Sequence, residues 1–337
     1  MKAVYITKTG SSEFLEVREA PVPEPAPDEI LVKIHAAGVN FADILAAQGY
    51  YPDAPKTPFI PGYEVAGVVE KSGAEAGRFR TGQRVVGFTL FGGYAEYAVC
   101  KEFAVQEMDE NLSFEESASI PVNWLTAYWS IYNTGLVFKG IRALVHAAAG
   151  GVGTAAVQLL KLEEAEIFGT AGSDEKLKFM RDLGVDHPVN YRNEDFQEAV
   201  EKIRGRKSLD LIIDSIGPDY LKKGLKLLRP NGRIVTMGVA SISGKNKLSV
   251  LWTFLRHFKI SPLHLIGNSQ GVYGVGILKV AQEHPGLCMD ALSKIMELFK
   301  EKKVRPVIDS TYPLEKASEA HARILSRKSI GKVVLTT

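Results

Sequence analysis

The sequence predicts an α/β protein in which a compact β-barrel-type domain is combined with a doubly wound parallel sheet. Three observations indicate this fold class. The first third of the chain is a series of short strand-like runs separated by Gly and Pro. From about residue 125 onward, helical segments alternate with apolar strands. A glycine-rich turn joins one of those strands to the next helix. With 337 residues, the chain is long enough for about two domains.

The predicted first domain opens on a strand within Met1–Tyr5. The proline-rich segment 21–27 then forms a stiff connector to a second strand at 29–34, because proline cannot donate a ladder hydrogen bond. Further short strands are predicted at 67–70, 84–87 and 94–99.

The predicted second domain alternates strands with helices, which is the pattern of a parallel sheet. The strands are 143–146, 166–170, 210–214 and 233–237, with helices near 153–162, 174–183 and 219–228 between them. Another short strand lies within 184–191. After a helix at 287–302, a last strand at 331–335 can return to the first domain.

Composition excludes several classes of function. The chain carries 41 Lys and Arg against 39 Asp and Glu, a net charge of +2, so no nucleic-acid partner is expected. Cys100 and Cys288 are the only cysteines, which excludes a disulfide framework and makes the reducing cytoplasm the expected location. No signal-peptide pattern precedes the first strand, and no apolar stretch reaches the ~20 residues of a membrane-spanning helix.

The most informative segment is the glycine-rich turn, which carries the pattern Ala147-x-x-Gly150-x-x-Gly153 between a strand and a helix. Such a turn lets the backbone approach a pyrophosphate, and the helix N-terminus offers unpaired N–H groups and a partial positive charge. We therefore expect a dinucleotide to bind here; the alternative is that the small residues serve packing only. The residues expected to bind it are Ala149, Gly150, Gly151 and Val152.

Four segments together resemble the medium-chain dehydrogenase/reductase superfamily. They are Gly38–Asp43, Pro61–Val69, the turn Ala147–Gly153 and Gly331–Leu335, in the family's order across essentially the whole chain. Within the superfamily the chain is similar to the zinc-independent quinone oxidoreductase group, and most similar there to the branch named for a synaptic vesicle membrane protein. The resemblance implies a GroES-like catalytic domain over 1–123 and 284–337, and an NADP-binding Rossmann domain over 124–283. It also implies an active site in the cleft between them.

The family's pattern for a catalytic zinc is missing from this chain. Alcohol dehydrogenases of the superfamily hold zinc with Cys, His and a further Cys or Asp, and the matching positions here are Asn40, Tyr63 and Val122. Tyrosine and valine are not usual zinc ligands, and Glu64 is expected to form hydrogen bonds rather than bind metal. We therefore expect no metal. Because alcohol oxidation at neutral pH needs a Lewis acid or a base, the expected reaction is reduction of a quinone or an α,β-unsaturated carbonyl.

The second strand of the predicted cofactor domain favours NADP(H). NAD-specific domains usually end this strand with Asp or Glu, but here it runs into Gly172 and Ser173. In the family a serine, a lysine and a tyrosine surround the 2′-phosphate, and the resemblance assigns these roles to Ser173, Lys176 and Tyr191. The alternative is that Lys176 is an exposed helix residue and Tyr191 part of the core.

Further contacts are implied by the resemblance alone, with simple packing as the alternative for each of them except Lys332, which is harder to explain as a core residue. The cofactor contacts are Asn40, Asn123, Thr126, Met237, Gly238, Val239, Tyr273, Gly274, Val275 and Lys332. On the substrate side the candidate catalytic residues are Asn40 and Tyr51. Tyr51 lies where related enoyl reductases carry a catalytic tyrosine, and a phenol with a pKa of about 10 can donate to an enolate. The alternative is that Tyr51 only lines the pocket or contacts the cofactor.

The segment 244–260 combines bulky apolar residues at helical spacing with Lys and Arg. It is expected to form the lip of the substrate pocket or, alternatively, a peripheral membrane- or partner-binding patch. The resemblance also implies a homodimer through edge strands near 271–277. The expected function is an NADPH-dependent reductase of quinones or enones. A cofactor-binding module with little catalysis and a 2-enoyl thioester reductase are the alternatives.

Overall fold

The computed structural model describes residues 1–11, 14–134, 137–242 and 260–337. These residues form two compact units: unit 1 comprises Met1–Leu125 and Ile277–Thr337, and unit 2 comprises Thr126–Gly276. The predicted lip segment 244–260 lies, except for Ile260, outside the described residues. In the part of the chain that is described, no helix is long and apolar enough to span a membrane.

The strands and helices are numbered in chain order. The described strands are β1 (Lys2–Ile6), β2 (Leu15–Glu19), β3 (Glu29–Val39), β4 (Glu64–Ser72), β5 (Arg84–Phe88), β6 (Tyr97–Lys101), β7 (Val105–Glu107), β8 (Arg142–Val145), β9 (Glu166–Ala171), β10 (His187–Asn190), β11 (Leu209–Asp214), β12 (Leu228–Thr236), β13 (Gly271–Gly274), β14 (Ile308–Pro313) and β15 (Lys332–Thr336). The described α-helices are α1 (Phe41–Gln48), α2 (Phe114–Ala118), α3 (Pro121–Tyr128), α4 (Gly151–Leu162), α5 (Asp174–Leu183), α6 (Phe196–Arg204), α7 (Pro218–Leu227), α8 (Pro262–Asn268), α9 (Ile277–Glu283), α10 (Pro285–Lys300) and α11 (Ala317–Leu325).

Unit 1 is organised around a sheet in the order β14–β15–β3–β4–β5–β7, with β6 paired to β3. The last strand of the chain, β15, lies antiparallel to β3, with Val334 opposite Gly38. The predicted return of the chain end to the first domain is therefore confirmed. Apolar side chains of β3, β4 and β15 meet in one buried core, including Val32, Val65 and Val333.

Unit 2 contains the predicted parallel sheet, with strand order β10–β9–β8–β11–β12–β13. The chain runs outward from β8 to β10 and then crosses to β11, from which it runs outward in the other direction. This crossover creates a topological switch point between β8 and β11, and α/β proteins bind ligands at the carboxyl ends of the strands there. Every residue of β11 is buried, as expected for a parallel strand covered on both faces.

Candidate active site

Most of the predicted cofactor-binding residues of unit 2 lie along one edge of its sheet. The reason is topological, because the carboxyl ends of parallel strands meet at the same edge. The residues in question are Ala149–Val152 after β8, Ser173 after β9, Tyr191 after β10, Met237–Val239 after β12 and Tyr273–Val275 at the end of β13. Thr126 lies elsewhere, on α3, where its carbonyl oxygen accepts a hydrogen bond from Ser130 Oγ (2.7 Å).

The glycine-rich turn brings backbone atoms closer together than side chains would allow. A Cβ on Gly153 would lie 2.3 Å from the carbonyl oxygen of Ala147 and 2.7 Å from Cα of Ala148. Gly150, in extended backbone, immediately precedes α4. The first N–H groups of a helix have no partner within the helix, so this turn presents donors suited to a pyrophosphate. The turn has the geometry that a dinucleotide site requires.

A buried threonine supports this turn from β9. Thr170 Oγ1 accepts a hydrogen bond from Ala147 N (3.3 Å) and lies 3.1 Å from His146 Nδ1. The carbonyl oxygen of Thr170 accepts from Ala148 N (3.1 Å). Burial lowers the pKa of His146 to about 3, so the ring is neutral. The sequence reasoning missed Thr170, since its position in a buried strand carries no motif.

The end of β9 combines a glycine with a phenol placed directly over it. A Cβ on Gly172 would lie 2.5 Å from Tyr191 Oη and 3.2 Å from Arg192 Nε, so a larger residue would displace both side chains. Ser173 Oγ accepts a hydrogen bond from Lys176 N (3.4 Å) and thereby caps α5. Tyr191 thus lies beside the Gly172–Ser173 turn, together with Arg192, a cation that the sequence analysis did not include; the contact of Lys176 with Ser173 is through its backbone N–H, and the role of its side chain stays a prediction.

At the switch point, a buried carboxylate holds the loop that follows β11. Asp214 accepts hydrogen bonds from Ile216 N (2.8 Å) and Gly217 N (3.1 Å), and its carbonyl oxygen accepts from Met237 N (2.9 Å). Burial raises the pKa of Asp214 to about 6, although these two N–H donors oppose the shift. Asp214 therefore links the loop after β11 to the segment after β12, and it too was missed from sequence.

Unit 1 contains a buried lysine that contacts three side-chain oxygens. Lys332 Nζ lies 2.6 Å from Asn40 Oδ1, 2.5 Å from Glu64 Oε1 and 3.5 Å from Asn123 Oδ1. An ammonium group has three donors, and these three acceptors occupy them. Glu64 also accepts from Val122 N through Oε2 (2.7 Å). Direct binding of a cofactor by Lys332 stays a prediction. The three contacts of its ammonium group orient the side chains of Asn40, Glu64 and Asn123.

The two asparagines around Lys332 differ in whether their side-chain amide can still donate a hydrogen bond to a ligand. Asn40 donates through Nδ2 to Glu64 Oε1 (2.8 Å) and to Gly38 O (3.4 Å), so its whole amide is engaged. The amide oxygen of Asn123 faces Lys332, which directs its Nδ2 donors away from the ammonium. Of the two predicted residues, Asn123 is the one oriented to donate, and a catalytic role for Asn40 stays a prediction.

A second buried polar chain lies beside α1. Asp43 accepts hydrogen bonds from Asn40 N (2.8 Å) and Gly62 N (3.0 Å), and the Tyr94 hydroxyl also bonds to it. Tyr94 Oη lies 3.3 Å from His321 Nε2. Burial raises the pKa of Asp43 to about 7 and lowers that of His321 to about 4. These contacts fix the backbone on either side of Asn40 and Tyr63.

Tyr51, the predicted proton donor, belongs to an aromatic group in unit 1. Its ring centroid lies 5.7 Å from that of Tyr63, which lies 5.1 Å from Phe91. Burial, followed by the nearby carboxylates of Asp53 and Asp43, raises the pKa of Tyr51 to about 12. Tyr51 is therefore protonated at neutral pH and can donate a hydrogen bond. Whether it transfers a proton stays a prediction.

The residues at the zinc positions of the resembled dehydrogenases do not fit a zinc ion. Tyr63 and Val122 offer no usual ligand, and the amide oxygen of Asn40 and the carboxylate of Glu64 already contact the Lys332 ammonium. Among the described residues, no group of three or more His, Cys, Asp and Glu side chains is arranged to hold a metal ion. No step of the chemistry is therefore assigned to a metal.

Comparison with known proteins is consistent with this geometry. Residues 26–110 match the family model of the alcohol dehydrogenase GroES-like domain, and residues 183–335 match the model of the zinc-binding dehydrogenase family. The synaptic vesicle membrane protein VAT-1 homolog of Danio rerio is 38% identical over 315 residues, which cover 92% of this chain. The chain spans 64% of that relative's length, less than two thirds.

Two further relatives match over nearly their whole length. The human quinone oxidoreductase is 33% identical over 338 residues, covering 99% of this chain and 97% of its own. The crystal structure of the quinone oxidoreductase of Escherichia coli, complexed with NADPH, superposes with a TM-score of 0.87 at 28% identity. That superposition covers 100% of both chains.

Proposed function

The chain belongs to the medium-chain dehydrogenase/reductase superfamily, and we propose that it is an NADPH-dependent, zinc-independent reductase of quinones or α,β-unsaturated carbonyls. Members of this superfamily use NAD(P), and its Escherichia coli relative was solved with NADPH. The proposal concerns which of the two cofactors this chain prefers and which acceptor it reduces.

The end of β9 is the observation that carries the choice of NADPH. An acidic side chain at this position would repel a 2′-phosphate, but the chain has Gly172 and Ser173 there. The phenol of Tyr191 lies over Gly172, and Lys176 follows in the first turn of α5. Hydroxyl groups and an ammonium are the donors that suit a dianionic phosphate. These side chains would hold the 2′-phosphate.

The remaining cofactor contacts would come from the backbone at the same sheet edge. The N-terminus of α4 would hold the pyrophosphate, and the segment Met237–Val239 would hold the nicotinamide ribose. When bound, the dihydronicotinamide supplies a hydride to the acceptor. The role of unit 1 is to hold the acceptor and to donate hydrogen bonds to its oxygen, for which protonated Tyr51 is suited.

Consumption of NADPH, with NADH in parallel, tests this proposal using an ortho-quinone and a short 2-alkenone as acceptors. We expect turnover that prefers NADPH. Lys176→Ala should weaken NADPH use by about 10- to 100-fold, the effect of one charge-assisted contact, and leave NADH use unchanged. Lys178→Ala is the matched control, because Lys178 lies on the same helix and pairs at the surface with Asp182 (2.9 Å).

Three results would contradict the proposal. Tight binding of NADPH without reduction of either acceptor would favour a cofactor-binding module with little catalysis. An equal loss with both nucleotides in Lys176→Ala would show that Lys176 does not read the 2′-phosphate. Preference for an acyl thioester over the free enone would instead favour a 2-enoyl thioester reductase.

A homodimer and a cytoplasmic location are part of the same proposal. The strand β13 is at the edge of the sheet of unit 2, and Tyr273 on this strand is exposed. Leu263 and Ile266 on α8 are also exposed, and such an edge favours pairing with a second copy. Sedimentation velocity of the wild-type chain and of Tyr273→Glu should give a dimer and a monomer, respectively. A wild-type monomer would exclude this interface.

A further inference from the structure

The hydroxyl group of Tyr63 is buried but is not satisfied by the protein. The residue is 1% exposed, and its Oη has no hydrogen-bond partner among the residues that the structure describes. Most buried polar groups in proteins are hydrogen-bonded, because an unmet donor keeps its desolvation penalty. Phenylalanine would fill nearly the same volume without that penalty. The contacts of Tyr63 within the protein therefore give no structural reason for its hydroxyl group.

The backbone beside Tyr63 is held in place by several contacts. Gly62 N donates to Asp43 Oδ1 (3.0 Å), and Thr89 Oγ1 donates to the carbonyl oxygen of Gly62 (2.8 Å). Thr89 N donates to the carbonyl oxygen of Tyr63 (2.8 Å). Gly62 has a φ of +104°, and a Cβ there would lie 2.7 Å from Cα of Gly93. The phenol therefore projects from a rigid turn, which is what a preorganised donor requires.

Two aromatic side chains lie beside the ring of Tyr63. Tyr51 and Phe91 flank it at 5.7 and 5.1 Å between ring centroids, and Phe91 packs edge-on against Phe59 (5.5 Å). A flat, conjugated carbonyl compound suits such a wall, since aromatic faces stack on planar π-systems. Within this aromatic group, the hydroxyls of Tyr51 and Tyr63 are the hydrogen-bond donors.

We propose that Tyr63, together with Tyr51, donates a hydrogen bond to the carbonyl oxygen of the acceptor, so that two phenols occupy the role that zinc has in related dehydrogenases. This rests on the proposed function. Addition of a hydride to the conjugated carbonyl transfers two electrons and leaves negative charge on that oxygen. The oxygen is then the acceptor that Tyr63 lacks, and the hydrogen bond strengthens as the charge develops. The O–H bond of Tyr63 stays intact, and solvent supplies the proton that completes the product.

The ionisation behaviour of both phenols agrees with a donor role. Burial, followed by the Asp43 carboxylate and by Tyr51, raises the pKa of Tyr63 far above that of a free phenol. Tyr51 is shifted in the same direction by burial and by Asp53. Both groups keep their protons throughout the physiological range, so the donor pair has no titration of its own between pH 6 and 9.

Tyr63→Phe tests the proposal with two readouts that move in opposite directions. Removal of an unsatisfied hydroxyl should leave the thermal midpoint unchanged or raise it. The same change should lower kcat/KM for the 2-alkenone by about 100-fold, as removal of one oxyanion donor does. The Kd for NADPH should not change. Tyr63→Phe with Tyr51→Phe should lower kcat/KM further than either change alone.

Tyr132→Phe is the matched control, since Tyr132 is a half-buried tyrosine of unit 2 whose hydroxyl donates to Glu163 Oε1 (2.9 Å) and has no part in the proposed site. It should lower the thermal midpoint and leave kcat/KM per folded molecule near that of wild type. A Tyr63→Phe variant with wild-type kcat/KM would overturn the donor role while leaving the proposed function intact. A wild-type chain that reduces neither acceptor would overturn both.

Discussion

Removal of the Lys332 ammonium should lower the free energy of unfolding, and the contacts of this group allow the size of the loss to be worked out. Lys332 and Glu64 are 3% and 0% exposed, and their closest N–O distance is 2.5 Å. Lys332→Met keeps the apolar stem but leaves the Glu64 carboxylate buried without a cation. Breaking a buried ion pair from one side costs about 3–5 kcal/mol. Because Glu64 keeps hydrogen bonds from Val122 N (2.7 Å) and Asn40 Nδ2 (2.8 Å), we expect a value near the lower limit, about 3 kcal/mol.

The paired substitution separates charge burial from packing. Glu64→Gln alone should also destabilise, but Lys332→Met combined with Glu64→Gln removes both charges and should be less destabilising than Lys332→Met alone. Urea unfolding followed by circular dichroism and by tryptophan fluorescence measures the free energy of unfolding. The two signals must coincide for a two-state analysis.

An exposed ion pair provides the control for these variants. Lys316 lies 3.2 Å from Glu319, and both side chains are about half exposed. Lys316→Met should change the free energy of unfolding by less than about 1 kcal/mol, because exposed pairs contribute little. A loss below about 1 kcal/mol in Lys332→Met, or a double variant whose loss equals the sum of the single losses, would refute the reasoning.

Three further predictions concern the turn after β8 and the buried His321. Gly153→Ala should lower the free energy of unfolding by about 3 kcal/mol, because its Cβ would meet Ala147 O at 2.3 Å; an unchanged thermal midpoint would contradict this. Ala147→Gly should raise the free energy of unfolding by about 1 kcal/mol, because Ala147 has a φ of +51°, which glycine adopts without strain. A variant that unfolds at a lower urea concentration would contradict this. The folded-state pKa of His321, about 4, lies below its ordinary 6.5. Its stabilising contribution is therefore present above pH 6.5 and is lost, by about 3 kcal/mol, as the pH falls to 4. His321→Gln should flatten the profile of thermal midpoint against pH in this range. Parallel profiles for the variant and the wild-type protein would contradict this prediction. Asp43 is present in both proteins, so the difference between the two profiles reports on His321. The raised pKa of Asp43 changes the stability with pH in the opposite direction.

The sheet of unit 2 could be predicted from sequence because its signals are local. Each parallel strand is an apolar run, each helix has its own periodicity, and the turn at Ala147–Gly153 has a recognisable composition. The alternation of strands and helices predicts that the strands are parallel, since successive parallel strands need crossovers. The residues at the ends of β9 and β10 are assigned together by the family resemblance rather than by these local signals.

The interior of unit 1 could not be predicted in this way. Lys332 and Asn40 are 292 positions apart, and no periodicity expresses their contact. The position of Tyr63 in the family pattern showed only that it is no zinc ligand; its unsatisfied hydroxyl is visible only when every neighbouring donor and acceptor is placed. Asp43 reads as an ordinary first-turn residue of α1, and its contacts with Gly62 and Tyr94 depend on tertiary structure.

For the proposed reductase, the charge of the Lys332 cluster bears on which acceptors can be reduced. A zinc ion adds two positive charges and can stabilise a strongly basic alkoxide, whereas Lys332 is neutralised by Glu64 at 2.5 Å. Hydrogen bonds from phenols stabilise charge less than a metal does, so they are adequate only where the product anion is weakly basic. Enolates and hydroquinone anions delocalise their charge, and alkoxides do not. In the proposed reductase, these electrostatics therefore favour conjugated carbonyls over saturated ketones as acceptors.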